Sequence, residues 1–121
     1  MTQPNRRKEP RAKASIRFWY RMPWSRVWHS ARTQDLGPGG LSFQLPKGFC
    51  FKGLPIEVAV DVPTAAFRSR TKVVRTTKDE SGRQVGVRFV DLPQHLREKL
   101  GNYIDRLRRI NVTGLRRVFS L

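Results

Sequence analysis

The stretch IEVAVDV, residues 56–62, decides the fold class of this chain. Its apolar side chains stand at every second position, at Ile56, Val58, Val60 and Val62. Alternation with a period of two is typical of a β-strand that buries one face and leaves the other in solvent. We therefore predict a half-buried strand here, and the chain on both sides repeats the same pattern.

Five further stretches show this alternation, three before residues 56–62 and two after them. They read SIRFWYR (15–21), RVWHSART (26–33), LSFQL (41–45), FRSRTKVVRTT (67–77) and QVGVRFV (84–90). The polar run KDESGR (78–83) separates the last two and predicts a hairpin turn. The side chains expected to point inward include Ile16, Phe18, Tyr20, Leu41, Phe43, Leu45, Val85, Val87 and Phe89.

After residue 91 the period changes from that of a strand to that of a helix. Apolar residues fall at helical spacing, at Leu92, Leu96, Leu100, Tyr103, Ile104 and Leu107. Pro93 suits the first helical turn, Asp91 is placed to cap it, and Gly114 is expected to interrupt any continuation. Six short strands followed by one helix, without βαβ alternation, predict a mainly β fold: an antiparallel sheet or barrel with a C-terminal helix.

The charge of the chain points to an anionic partner. Its 121 residues suit a single domain, and 25 Lys and Arg against 9 Asp and Glu give a formal net charge of +16. Such an excess favours nucleic acid, a nucleotide or a membrane surface as the partner. Arg outnumbers Lys, which favours paired hydrogen bonds to phosphate or guanine over diffuse attraction.

Enzyme and metal chemistry find little support in the sequence. The acids are scattered, and no Ser/His/Asp elbow, phosphate-binding Walker loop or HExxH motif occurs. Cys50 is expected to be a small buried hydrophobe, and His29 and His95 are isolated, so neither a disulfide nor a metal site is predicted. Without a secretory signal or a membrane-spanning apolar run, we expect a cytoplasmic protein with no enzymatic activity and no cofactor.

Residues 1–13 predict a flexible basic arm that carries Arg6, Arg7 and Arg11. Each guanidinium can make paired hydrogen bonds to phosphate oxygens or to the O6/N7 edge of guanine, and it can stack on a purine face. Arg7 and Arg11 are spaced to reach one ligand from two sides. A solvated basic tail is the alternative interpretation, and the arginines alone favour it.

The stretch DLGPGG, from Asp35 to Gly40, predicts a loop that could contribute to a binding site. Its glycines permit positive φ and a close approach of the backbone to a ligand. Asp35 is acceptor-only when ionised, which suits the N1–H and N2–H₂ edge of guanine. Taken alone, however, the stretch is better explained as an ordinary turn between two strands.

Two further groups of residues leave alternatives open. The three tryptophans, Trp19, Trp24 and Trp28, could stack nucleic-acid bases, but packing in the core or at a barrel end is the favoured interpretation. The cations of Arg68–Lys72 alternate on one strand face. That face either extends a binding surface or is simply solvated.

Together, the arm and the loop resemble the motifs of the PilZ domain family. The family pattern is an RxxxR arm followed by (D/N)xSxxG, and this chain carries RRxxxR at residues 6–11 and DxGxxG at residues 35–40. The stretches GGLSFQLP, IEVAVDVP, FRSRTKVVRTTKDESGRQVGVRFVDL and LREKLGNYIDRLRR are similar to the later strands and the C-terminal helix of the family. The resemblance covers about residues 5–110.

The resemblance implies a six-stranded antiparallel β-barrel with a C-terminal helix and a flexible N-terminal arm. The arm would be residues 1–13, the barrel and helix residues 14–110, and a basic tail residues 111–121. PilZ domains bind the bacterial second messenger cyclic di-GMP, so the resemblance implies a non-enzymatic receptor in signal transduction. A downstream protein partner is then expected, and nucleic acid is the less favoured partner.

The resemblance also implies roles for individual residues. Arg7 and Arg11 would grip the phosphates and guanines of the ligand, and Arg6 would add charge or stacking. Asp35 would accept hydrogen bonds from a guanine edge, and Gly40 would permit a close approach.

Gly37 departs from the family pattern, which has a serine at this position. Loss of the hydroxyl contact would cost about 0.5–1.5 kcal/mol, the net value of an ordinary hydrogen bond, although Pro38 stiffens the loop and offsets part of this. Two alternatives therefore stay open. One is a basic nucleic-acid-binding module, and the other is a PilZ-like adaptor that has lost ligand binding and works through protein contacts.

Overall fold

The computed structural model describes residues 11–48 and 50–120, with side chains described up to residue 109. Within these residues lie strands β1 (Ala12–Lys13), β2 (Arg17–Arg21), β3 (His29–Leu36), β4 (Gly40–Leu45), β5 (Pro55–Val62), β6 (Ala65–Asp79) and β7 (Gly82–Val90). They are followed by one helix, α1 (Gln94–Ser120). The six predicted strands and the helix are confirmed, and the short strand β1 is an addition to them.

Six of the strands close into an antiparallel barrel. Their hydrogen-bonded order is β3-β2-β5-β6-β7-β4, and a further pairing of β3 with β4 closes the ring. Strand β1 pairs with the end of β3, beyond the part that β2 occupies. Closure removes the unpaired edges that an open sheet would expose. Of the two architectures that the periodicity allowed, the barrel is therefore the correct one.

The barrel interior holds the apolar side chains that the period of two predicts. All four apolar residues of β5 between Ile56 and Val62 are at most 2 % exposed. Phe18 packs edge to face on Phe43, with ring centroids 5.1 Å apart. Burial of one such side chain contributes about 1.5–3 kcal/mol, so the inward faces of the strands supply the main driving force for folding. Cys50 is buried as predicted, and burial raises the pKa of its thiol.

Helix α1 covers one end of the barrel with its apolar face. Leu100 and Ile104 are 1 % and 0 % exposed. A Cβ atom built on Gly101 would lie 3.7 Å from Cγ of Pro38, which sits in the turn between β3 and β4. The helix thus lies beside that turn, on the end of the barrel where β3 ends and β4 begins, and an alanine at this position would make an ordinary van der Waals contact.

Two predictions about the helix are wrong. Asp91 does not cap α1, because its carboxylate accepts a hydrogen bond from Arg70, and its φ of 62° turns the chain. The first acceptor of the helix is instead the Pro93 carbonyl, which takes hydrogen bonds from the backbone N–H groups of residues 96 and 97. The expected interruption at Gly114 is absent, since the helical backbone continues to Ser120. A glycine in a helix interior costs about 1 kcal/mol relative to alanine and does not by itself end the helix.

The boundaries predicted for the arm and the tail are also affected. Ala12 and Lys13 form β1, so the last part of the predicted arm is a strand of the sheet. Residues 1–10 of that arm lie outside the described residues. The predicted start of the tail at residue 111 falls within the backbone of α1. None of the helical backbone described here is both long and apolar enough to cross a membrane.

Candidate functional site

Two of the predicted site residues, Arg11 and Asp35, meet on the outside of the barrel. Arg11 immediately precedes β1, and Asp35 is the second-last residue of β3. Pairing of Lys13 with Asp35 between these strands fixes the end of the arm beside the carboxylate. Nη1 of Arg11 donates a hydrogen bond to Oδ1 of Asp35 at 2.8 Å. The two side chains are 16 % and 22 % exposed, so the ion pair is mostly shielded from water.

Asp35 is not in a loop, as the sequence suggested, but in a strand. The stretch DLGPGG is divided between elements, because residues 35 and 36 end β3 and Gly40 begins β4. Only residues 37–39 form the turn, which the Gly37 N–H closes by donating to the Gly40 carbonyl at 2.9 Å. The prediction was wrong here because Asp35 pairs with Ser42 of β4 just past a register shift that breaks the alternation. The carboxylate is therefore carried by a rigid part of the sheet.

Gly40 is required by the barrel itself. A Cβ atom built on it would lie 2.0 Å from the carbonyl oxygen of Val87 in β7, which no real side chain tolerates. Its neighbour Gly39 accepts a hydrogen bond from the Phe89 N–H at 2.8 Å. The close approach predicted for Gly40 is thus present, but toward a neighbouring strand. Gly40 has no φ in the left-handed region, so the need for glycine here comes from the lack of space and not from the backbone conformation.

A polar cleft of about 660 Å³ opens beside Asp35 on the outer face of the barrel. Its walls come from β1, β3, β4, β6 and β7. The lining residues include Lys13, Asp35, Ser42, Arg75, Asp79 and Gly86. The cleft lies within the range of about 300–1,000 Å³ that is common for small-molecule sites.

Arg75 is a cleft residue that the sequence reasoning missed. It follows a register shift between β6 and β7, and Gly86 lies opposite it. Nη2 of Arg75 is 3.8 Å from the position that a Cβ atom at Gly86 would take, so the guanidinium extends across the glycine. A glycine within an otherwise alternating strand is the signal that could have revealed this bulge.

The electrostatics of the site suit an anionic ligand that also offers hydrogen-bond donors. Lys13 and Arg75 supply positive charge in the cleft, and Arg11 stands next to it. Asp35 and Asp79 supply acceptors, although Asp79 already accepts from the backbone N–H of Ser81 at 2.8 Å. Within the described residues, no cluster of three or more His, Cys, Asp or Glu side chains could hold a metal ion. The arrangement is one for binding.

The other predicted site residues are placed as follows. Gly37 belongs to the turn next to Asp35. Arg6 and Arg7 lie outside the described residues, so their positions relative to the cleft stay predictions.

The tryptophans were expected to pack in the core or at a barrel end; none of them lies in the core, whereas Trp24 and Trp28 lie in the β2–β3 loop at one end of the barrel. Trp24 is 59 % exposed, and Trp19 and Trp28 are only half-buried. The ring of Trp28 lies 4.6 Å from Cζ of Arg21 and 5.3 Å from Cζ of Arg68, as in cation–π contacts. The outward position of Trp19 follows from the strand phase, because Phe18 and Tyr20 take the inward positions of β2.

Two of the three cations on the predicted face of β6, Arg68 and Arg70, are tied into ion pairs, whereas Lys72 lies opposite Arg88. Glu57 accepts hydrogen bonds from Arg21 and Arg68, and Asp91 accepts from Arg70 at 2.5 Å. Burial alone would raise the pKa of Glu57, but the hydrogen bonds from Arg68 and Arg21 outweigh it, and the pKa of this carboxyl is lowered. This face therefore has charge partners of its own, and it lies on strands β2, β5 and β6, away from Asp35.

Residues 5–106 match the sequence model of the PilZ domain. The fold is similar to that of YcgR from Escherichia coli in complex with c-di-GMP, with a TM-score of 0.78 and 18 % identity over 93 % of this chain and 50 % of that chain. It is also similar to the Bacillus subtilis inhibitor of motility, MotI/DgrA, with a TM-score of 0.75 and 18 % identity over 88 % of this chain and 52 % of that one. The PilZ domain of YcgR with c-di-GMP matches with a TM-score of 0.69 and 17 % identity over 92 % of this chain and 98 % of that chain.

The coverage and the sequence identity of these matches determine which conclusions they support. This chain spans about half the length of the YcgR and MotI/DgrA chains. At 17–18 % identity the structural likeness shows the fold alone. No curated protein sequence matches the chain.

Proposed function

The chain belongs to the PilZ domain family, and from that premise we propose that it is a non-enzymatic receptor for cyclic di-GMP. The ligand would occupy the cleft beside Asp35, with the N-terminal arm ordering over it. YcgR, which shares the fold, is described in complex with the same nucleotide. A bacterial second messenger acts inside the cell, so the proposal retains the cytoplasmic location expected from the sequence.

The observation that carries the proposal is the ion pair of Arg11 and Asp35 at the edge of the 660 Å³ cleft. It joins the end of the RxxxR stretch to the first residue of the DxGxxG stretch. Neither stretch alone outweighed its ordinary interpretation as a basic tail or a turn. Their contact supports a shared role, because a guanidinium and a carboxylate side by side present both a donor fork and an acceptor to one ligand.

The chemistry assigned to each residue follows from its position. Asp35 is held by the sheet and accepts hydrogen bonds from the N1–H and N2–H₂ groups of a guanine. Arg11 donates to Asp35 and to a phosphate or guanine of the ligand, and Arg7 and Arg6 close over the ligand from the arm. Gly37 supplies no hydroxyl, so we expect a weaker complex than a serine at this position would give, by about 0.5–1.5 kcal/mol.

Signalling in this proposal is a change in the arm. Ordering residues of the arm costs conformational entropy, and the contacts with the ligand offset this cost. Once ordered, the arm would present a different surface to a downstream protein partner. In this proposal cyclic di-GMP is bound and not converted.

Calorimetric titration of cyclic di-GMP tests the proposal. Wild type, Arg7→Ala and Asp35→Ala are compared at low and high salt, with Arg26→Ala as a control that removes a cation at the far end of the barrel. We expect micromolar or tighter binding by wild type and by the control, and a loss of roughly tenfold or more in each site variant. Binding should persist at high salt, because only a few charges are neutralised in a pocket.

Titration with single-stranded DNA separates the second candidate function. The net charge of +16 and the exposed Trp24 favour a nucleic-acid-binding module. Affinity for DNA that falls steeply with salt, together with no heat from cyclic di-GMP, would reject the receptor and favour this module. No heat from either titrant would favour an adaptor that acts through protein contacts.

A further inference from the structure

At the end of the barrel opposite α1, two loops lie beside the β6–β7 hairpin, and we call these two loops the tip. The tip comprises residues 22–28, between β2 and β3, and residues 46–48 and 50–54, between β4 and β5. Because neighbouring strands are antiparallel, these loops share one end, and the turn of residues 37–39 that Gly101 of α1 approaches lies at the other. The tip is therefore remote from both the helix and Asp35.

The tip carries most of the exposed large hydrophobic side chains of the described residues. Among the described residues, four large hydrophobic side chains are exposed, and three of them belong to the tip. Trp24 and Val27 are each 59 % exposed, and Phe51 is 45 % exposed. The fourth, Val74, lies on β6 at 41 %. Scattered single apolar residues need no explanation, but three on adjacent loops mark a contact surface.

The charges of the tip are all positive. Arg26, Lys47 and Lys52 are exposed, and the sequence of both loops contains no Asp or Glu. Acids adjoin the tip from outside: Glu57 lines a pocket with Met22 and Arg26 and is paired with Arg21 and Arg68, and Asp79 and Glu80 lie in the β6–β7 hairpin. Cations thus border the apolar side chains on both loops, without acids among them.

A shallow apolar cleft joins the two loops. It has a volume of about 800 Å³ and runs from Trp24 across Met22 and Leu45 to Pro46 and Lys47. The apolar surface is therefore continuous from one loop to the other, and a cation stands at its edge.

From this arrangement we propose that the tip docks on an anionic phospholipid bilayer. Trp24, Val27 and Phe51 enter the boundary between headgroups and acyl chains, and the tip cations contact the headgroup phosphates. Interfacial binding has these two requirements, a small apolar surface and a bordering positive charge. Tryptophan suits this boundary because its ring is apolar and its N–H is polar. The overall charge of +16 adds long-range attraction to the same surface.

The proposal stands apart from the nucleotide site. The tip shares no residue with the cleft beside Asp35, so a bilayer and a nucleotide can be bound at once. Vesicle binding reports on the tip, and nucleotide titration reports on the cleft beside Asp35. A receptor that docked in this way would bring its nucleotide site, and any partner bound to the arm, to the membrane surface.

Vesicle co-sedimentation tests the apolar part of the proposal. Vesicles of phosphatidylcholine mixed with phosphatidylglycerol are compared with vesicles of phosphatidylcholine alone, at physiological salt. Wild type should sediment with the anionic vesicles, and Trp24→Ser with Val27→Ser should bind at least roughly tenfold more weakly. Val74→Ser, which removes the exposed apolar residue outside the tip, should behave as wild type. Equal sedimentation of the Trp24→Ser, Val27→Ser variant and wild type would overturn the proposal, because basic charge alone would then explain binding.

Two further measurements close the remaining routes. Acyl chains brominated near the headgroup should quench the tryptophan fluorescence of wild type and should quench Trp24→Phe much less, since Phe keeps the apolar contact and removes the reporter. Exchange of Arg26 and Lys47 for Glu should abolish binding, whereas Lys72→Glu on the side of the barrel should weaken it only slightly. Absence of quenching in wild type would reject docking through the tip. So would a loss of vesicle binding in Lys72→Glu as large as that caused by exchanging Arg26 and Lys47 for Glu. Unchanged titration of cyclic di-GMP in all these variants shows that the fold is intact.

Discussion

Gly40 and Asp35 belong to one motif, yet they carry different information about function. A side chain at Gly40 would collide with the Val87 carbonyl, so the barrel needs glycine there whether or not a ligand binds. The ion pair of Asp35 and Arg11 is mostly shielded from water, and such a pair is weak evidence of a stabilising role. The pair can therefore serve the ligand binding that we propose. Asp35, and not Gly40, is the residue whose substitution tests binding without first disturbing the sheet.

Glu57 gives a prediction about pH at the same scale. The pKa of its carboxyl is lowered by hydrogen bonds from Arg68 and Arg21, which win over the burial that would raise it. A lowered pKa in the folded state means that the stabilisation is present above the unfolded pKa, and is lost as pH falls through the folded pKa. Glu57→Gln should thus lower the free energy of unfolding near pH 7 by less than about 1 kcal/mol, because Arg68 is largely exposed and water screens the pair.

Urea denaturation at pH 7 and at pH 3 measures this effect. The difference between wild type and Glu57→Gln should shrink at the lower pH, because the stabilisation from a carboxyl with a lowered pKa decreases once the pH falls below the pKa of the unfolded state. Glu80→Gln is the matched control, since Glu80 is exposed in the hairpin turn and has no recorded ion pair in the described structure. A difference that grew toward low pH would contradict the assigned direction of the pKa shift.

Among the elements, those with a long, regular period were predicted from the sequence, and those defined by pairing were not. The inward residues of β4, β5 and β7 and the apolar face of α1 were all identified, because burial of one face imposes the period directly. Strand β1 has two residues, which is too short for any period. Asp35 and Arg75 each follow a register shift, and a shift depends on the partner strand, which a local pattern does not contain.

Helix α1 is predicted to stabilise the barrel by closing its end. Ile104 is fully buried, and Ile104→Ala should lower the free energy of unfolding by about 2–5 kcal/mol through lost burial and the cavity left behind. Asn102→Ala on the exposed side of the same helix should change it by no more than about 0.5 kcal/mol. Chemical denaturation of the two variants compares them directly. Equal stability would mean that the barrel does not depend on the helix that covers it.

At the scale of the whole molecule, charge repulsion opposes the compact fold. The formal net charge is +16, and strands β6 and β7 place Lys72 directly opposite Arg88, both exposed. Like charges opposite one another across a sheet are destabilising. The few exposed ion pairs offset little of this, since each contributes about 0–1 kcal/mol. An excess that costs stability is explained more readily by a polyanionic ligand or surface than by the fold.

Salt should therefore stabilise the protein. Raising NaCl to about 0.5 M shortens the screening length to less than about 5 Å. We expect the melting temperature to rise by a few degrees, which corresponds to a gain in the free energy of unfolding on the order of 1 kcal/mol.

Lys72→Glu lowers the net charge from +16 to +14, because it removes one positive and adds one negative charge. It also places opposite charges at the pair that residue 72 of β6 forms with Arg88 of β7. This variant should melt at a higher temperature than wild type in low salt and gain less from added salt, whereas Lys72→Arg, which keeps the charge, should follow wild type. A melting temperature that fell with salt would mean that the local pairs around Glu57, Asp35 and Asp91 outweigh the global repulsion. Differential scanning calorimetry without ligand measures these melting temperatures. Neither nucleotide nor lipid is then present to screen the charge, so the salt dependence reports only the charges of the protein.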